Sequence, residues 1–245
     1  LVCASALASV EAHPHDQAIQ RVGQLIDLGK YDAAERFAHG LLPEIESLTG
    51  SDSLATAALL DHYVEALQLG GKSSLPETLE LADRALAIRE SRLGESDPLV
   101  ADSLFRKADV LLAMDSYALA GDLLSRALQI YESSPGSDDI SVARAHHRLG
   151  QRFLHTGPTR DAEWHSALAV GIAESARQPD ELTLAETLTG LAEFHIHSRS
   201  GDYRATVEPL VRRALELRQR VLDDEHPLVA QSLFLYGWLL HDLRR

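Results

Sequence analysis

Residues 81–104 read L-A-D-R-A-L-A-I-R-E-S-R-L-G-E-S-D-P-L-V-A-D-S-L, and this stretch decides the fold. Arg84-Ala85-Leu86-x-Ile88 returns 42 residues later as Arg126-Ala127-Leu128-x-Ile130. A fixed step of about 20–50 residues marks an architecture of stacked repeats. Leu81, Ala85, Leu86 and Ile88 keep helical spacing, and so do Val100, Leu104, Ala108, Leu111 and Leu112. Between the two runs, Gly94 suits the left-handed turn that ends one helix. Asp97 is placed to cap the next, and Pro98 falls in its first turn, where a missing N–H costs nothing. Asp115-Ser116-Tyr117 then leaves room only for a tight turn between antiparallel neighbours. The unit is a helical hairpin, apolar on two sides, that buries those sides only by stacking on copies of itself.

The string R-A-L-A-I-R-E-x-x-L-G-x-x-D-P-x-V-A-x-S-L resembles the long tetratricopeptide repeat of the kinesin light chain type, with a step longer than the usual about 34 residues. Prokaryotic chains use this long form in tandem. The resemblance implies an all-α, right-handed superhelical solenoid of antiparallel helix pairs over residues 15–245. It also implies that the first helix of each pair lines a concave groove where ligands lie.

Working outward, Leu28-Gly29-Lys30-Tyr31-Asp32-Ala33-Ala34 gives a first hairpin over about Asp16–Leu48. Further pairs are expected over Ser53–Leu69 with Pro76–Leu93, Pro98–Met114 with Tyr117–Ser133, a fourth from Asp139 with a second helix over Arg160–Ala176, and Leu182–His197 with Arg204–Leu222. Pro209 is read as near the first turn of its helix. Asp224-Glu-His-Pro-Leu-Val-Ala230 and then a lone helix to about Leu243 come last. Irregularities are expected at Gly70–Ser74, Gly157–Thr159 and Ser198–Asp202. The Gly70-Gly71-Lys72-Ser73 string lacks the spacing and preceding strand of a phosphate loop, so it reads as an insertion. Phe234, Leu235, Tyr236, Trp238 and Leu239 make the last helix apolar, and the array is expected to continue past it. Residues 1–14 form an Ala-rich segment with two readings. As a signal-peptide remnant cleaved after Ala4-Ser5-Ala6 they imply export; as a capping helix they leave the cytoplasm as the expected compartment.

Composition narrows the function classes. A net charge of −14 argues against nucleic acid or an anionic membrane as the main partner. No run approaches the roughly 20 apolar residues of a spanning helix. One cysteine excludes an internal disulfide framework. Twelve histidines are many, but none keeps a recognised metal-ligand spacing, and only His155 and His197 fall at equivalent places on adjacent inner helices. No serine sits in a nucleophile elbow. The chain is expected to be neither an enzyme nor a holder of cofactor or metal, although the resemblance allows an attached catalytic domain outside it.

Aligning the copies on V-A-x-S-L puts Ala58, Asp102, Arg144, Glu186 and Gln231 at one inner position. His62, Arg106, Arg148, Gly190 and Leu235 follow four residues on, and Glu65, Asp109, Gln151, Glu193 and Trp238 three beyond those. Relatives that clamp a peptide or its terminal carboxylate place Asn at the middle position, and this chain has no Asn. It has instead Arg106, Arg144 and Arg148, whose forks suit carboxylate or phosphate. The expected groove residues are therefore Arg106, Arg144, Arg148, His62, Asp102, Asp109, Gln151 and Glu193. The competing expectation is that the arginines pair with acidic neighbours across adjacent helices. The leading function is a protein-interaction scaffold that binds a peptide or partner protein in the groove. The alternative is a regulatory region of a larger protein whose caspase-like protease or protein-kinase effector lies outside this chain.

Overall fold

Three turns with one geometry set the architecture, which we describe from a computed structural model covering residues 14–134, 139–156, 159–199 and 203–243. At Gly29 the N–H bonds to the carbonyl of Ile26, while the next N–H, Lys30, reaches back to Leu25. The same pair of bonds recurs at Gly71 with Lys72 and at Asp115 with Ser116. This pattern ends a helix by satisfying two orphan carbonyls, and it needs a residue with positive φ. Gly29 (68°), Gly71 (78°) and Asp115 (56°) supply it, and Arg199 (45°) does so at the end of a later helix.

Each turn joins a first helix to an antiparallel second one. Among the described residues the helices are α1 (Pro14–Asp27), α2 (Tyr31–Thr49), α3 (Leu54–Leu69), α4 (Pro76–Leu93), α5 (Pro98–Ala113), α6 (Tyr117–Ser133), α7 (Asp139–Thr156), α8 (Thr159–Ser175), α9 (Glu181–Ser198), α10 (Tyr203–Val221) and α11 (Pro227–Leu243). Junctions between hairpins use the other expected device. Ser53, Asp97 and Asp180 accept N–H bonds from the first turns of α3, α5 and α9. Pro209 lies inside α10 rather than in its first turn, as Pro43 does inside α2. Of the irregularities expected from sequence, Gly70–Ser74 forms the turn described above. The other two fall largely outside the described residues, as do residues 1–13 of the N-terminal segment.

Packing runs sequentially, with each helix against the next, and α1, α3, α5, α7 and α9 also touch in order along the inner layer. The core is a strip between inner and outer layers. Val22, Ile45, Leu59, Leu60, Val100, Leu104, Leu124 and Leu188 are wholly buried along it, each side chain contributing about 1.5–3 kcal/mol. Ala85, Ala127 and Ala214 are buried where helices cross closely. The last inner helix differs: Leu233, Phe234, Trp238 and Leu240 of α11 are exposed. In α5 the corresponding Leu104 and Phe105 are covered.

The first described turn meets the corner between α10 and α11. Gly29, in the first turn, lies so close to the α10–α11 corner that an added Cβ would stand 2.5 Å from Cδ of Pro227 and 3.1 Å from the His226 ring. Tyr31 presents its ring edge to His226, with centroids 6.5 Å apart. Among the described residues no helix of the first hairpin packs side by side on α10 or α11, so this contact between a turn and a corner, with the helix ends beside them, closes the solenoid into a ring.

Candidate functional site

Ring closure turns the concave groove into a channel. A cavity of about 670 Å³ runs along it, lined from Asp27 at the end of α1, through Arg106, Arg148 and Glu186, to Gln231 of α11. All eight residues expected at the groove sit on its inner helices α3, α5, α7 and α9.

They are not equivalent. Arg106 reaches across to α3 and pairs with Glu65 at 2.8 Å, and its carbonyl accepts a bond from Gln68. Arg148 bridges two helices at once, meeting Asp109 of α5 at 2.7 Å and Glu186 of α9 at 2.8 Å. It also donates to Gln151, whose side chain bonds Glu193. Burial alone would raise the Glu65 and Glu186 carboxyls, but Arg106 on one and Arg148 on the other outweigh it. Both carboxyls are held down to about 2. Asp102 accepts from the Tyr131 hydroxyl at 2.7 Å, and burial with that carboxylate pushes the phenol pKa up.

Arg144 stands apart. No carboxylate lies within ion-pair distance of it among the described residues, and its guanidinium stacks over the Phe105 ring at 4.7 Å. It lines a second pocket of about 250 Å³ with Ser141, Tyr131, Asp102 and His62. Nδ1 of His62 is buried there without a hydrogen-bond partner among the described residues, 3.7 Å from Glu65. Of the three arginines read from sequence as one basic spot, two are held in ion pairs and one, Arg144, has no ion pair among the described residues.

Several inner groups had no signal in the sequence reading. Asp61 of α3 pairs with Arg89 of α4 at 2.6 Å, and Ser103 of α5 bonds both, so three helices meet at one buried polar knot. His147 packs its ring into the space left by Gly190, where a Cβ would stand 2.2 Å away. Burial, with Arg148 adding to it and Glu186 opposing, pushes His147 down to about 4. Its neighbour His146 bonds His165 of α8 through their Nδ1 atoms at 2.9 Å. His155 and His197 are engaged separately: His155 stacks on Tyr117, and His197 meets the carbonyl of Glu193. No group of three or more metal-binding side chains comes together among the described residues.

Residues 99–175, from α5 into α8, match the family model for the tetratricopeptide repeat. Residues 99–175 carry tetratricopeptide repeats. The fold of the whole array is similar to that of solved repeat proteins of the kinesin light chain kind. One is a Podosopora anserina protein of nearly identical tetratricopeptide-like repeats, assigned as a kinesin light chain. It is 17% identical, with a TM-score of 0.60 over 85% of this chain and 98% of that one. Another is BtubC (BKLC) from P. vanneervenii, 19% identical with a TM-score of 0.62, covering 84% of this chain and 80% of that one. No curated protein sequence matches. Tetratricopeptide arrays generally mediate contacts between proteins, and no described helix here is long and apolar enough to cross a membrane.

Proposed function

We propose that this tetratricopeptide array is an interaction scaffold whose inner channel holds an acidic segment of a partner protein, with Arg144 as anchor. The observation that carries this reading is the unequal use of the three inner arginines. Arg106 and Arg148 already hold Glu65, Asp109 and Glu186, so an incoming carboxylate competes with an intramolecular one at either site. At Arg144 it meets a fork with no ion pair among the described residues, fixed in place by Phe105, beside the Ser141 and Tyr131 side chains. His62, Asp102, Asp109, Gln151 and Glu193 then serve as the polar wall that sets the segment's register. The paired arginines keep that wall rigid.

A set of fluorescent peptides tests this, each carrying Asp or Glu at varied positions and made with free and amidated C-termini. Binding measured by anisotropy should fall about tenfold or more in Arg144→Gln, as expected when a charge-assisted bond worth about 1.5–3 kcal/mol is lost. Added salt should weaken it further. Arg126→Gln, on an outer helix, should bind like the parent. Equal affinity of Arg144→Gln and the parent overturns the reading, and so does failure of every acidic peptide to bind.

A further inference from the structure

The closing contact is built differently from the other hairpin junctions. Asp97-Pro98-Leu99-Val100-Ala101 and His226-Pro227-Leu228-Val229-Ala230 are the same junction at two places in the array, with histidine replacing the capping aspartate in the second. His226 still caps: its Nδ1 accepts the Leu228 N–H at 3.2 Å. Asp97 does the same job, accepting the Leu99 N–H at 2.9 Å. What the imidazole adds is reach. Its other edge, Cδ2 and Nε2, faces Gly29, and the ring is engaged with the backbone of Asp27 at the end of α1. His226 is 7% exposed although it sits in a loop. The opposing turn is matched to it. Gly29 and Gly71 end α1 and α3 with the same bonds and nearly the same φ, yet the space over Gly71 is open while that over Gly29 is filled by Pro227 and His226.

We propose that the Gly29 turn and the His226–Pro227 corner form a clasp across the ring, and that the inner channel loads a partner segment when this clasp parts. The contact holds the His226 imidazole, the Pro227 ring and Gly29, with the edge of Tyr31 and the backbone of Asp27 beside them, and among the described residues no helix packs side by side across it. Contacts of that size open locally far more readily than a packed core. The strip of buried leucines and valines stays intact when they do. Closed, the ring admits a segment only by threading a free end. Parted, it admits one from the side. The loading step rests on the binding role proposed above; the clasp itself does not.

The test therefore begins without any ligand. In a Cys3→Ser background, nitroxides at Arg36→Cys on α2 and Gln219→Cys on α10, both exposed, report the distance across the closure. The parent should give one narrow distance. His226→Asp keeps a cap for α11 and removes the imidazole, and should add a longer population. Gly29→Ala should do the same, whereas Gly71→Ala, with a like φ but open space, should not. A parent already broad, or Gly29→Ala indistinguishable from Gly71→Ala, overturns the clasp. The second readout is the association rate of an acidic fluorescent peptide. It should rise at least severalfold in His226→Asp, while Arg144→Gln acts on affinity and leaves the distance unchanged. A longer distance with an unaltered association rate overturns the loading role.

Discussion

Ala127 and Arg92 lie in neighbouring repeats and answer to opposite physics. Ala127 is wholly buried where α6 meets α5 and α7, so Ala127→Leu should overpack that crossing by about 1–3 kcal/mol. Arg92 is half exposed and holds Asp52 at 2.6 Å, a surface pair worth about 0–1 kcal/mol, so Arg92→Leu should lose no more than that. Chemical denaturation of the two variants checks the difference, and equal losses would contradict it. His147 makes a prediction in pH. Its folded value of about 4 lies below the ordinary value near 6.5, so the unfolded chain takes up the proton first. Its contribution is complete above pH 6.5 and declines as pH falls toward 4, by on the order of 3 kcal/mol. Glu65 and Glu186, held near 2, lose theirs below about 4.5. The melting temperature should be level from pH 7 to 8, fall below 6.5 and fall more steeply below 4.5. His147→Gln should flatten the first part of that decline, and an unchanged slope would place its origin elsewhere. The small buried alanines were legible because the repeat places them where large residues are otherwise expected. The protonation of His147 was not, since it depends on Gly190, which lies more than 40 residues away in sequence.

Among the helices, α3, α4 and α5 share the Asp61–Arg89–Ser103 knot. Removing one member of a buried pair leaves the other charged and unpaired. Asp61→Ala should therefore cost about 3–5 kcal/mol, and Asp61→Ala with Arg89→Met should recover part of it. A urea midpoint for Asp61→Ala close to that of the parent would count against the knot as a structural tie. Most helix bounds were readable, because the signals were local. Ser53 and Asp97 cap where they stand, Pro76 and Pro98 open helices, and Gly29 and Gly71 carry the positive φ that their turns need. The pairing of the inner arginines was only half readable. Repeat alignment put Arg106, Arg144 and Arg148 on one face, but which of them finds a carboxylate depends on rotation between adjacent hairpins. Arg106 turns to Glu65 and Arg148 to Asp109 and Glu186, and Arg144 turns to an aromatic ring instead.

At the scale of the whole molecule, a stack of hairpins that touch only their neighbours should fray first from its end helices. Here α1 is held at its carboxyl end by His226. Amides of Leu25, Ile26 and Gly29 should be more protected from hydrogen exchange in the parent than in His226→Asp, with α5 unaffected in both. Equal protection would show that the closure adds nothing to the stability of α1. No local pattern announces such a meeting of Gly29 with Pro227. It is the sum of small rotations, one per repeat, and none of them is written at any single residue. That sum carries a restriction on how such a chain changes over generations. An open array tolerates the gain or loss of a hairpin, because each unit needs only a neighbour. Here one unit more or fewer between Gly29 and His226 would carry that corner past Gly29, or leave it short, so the closure constrains the number of repeats that lie between them.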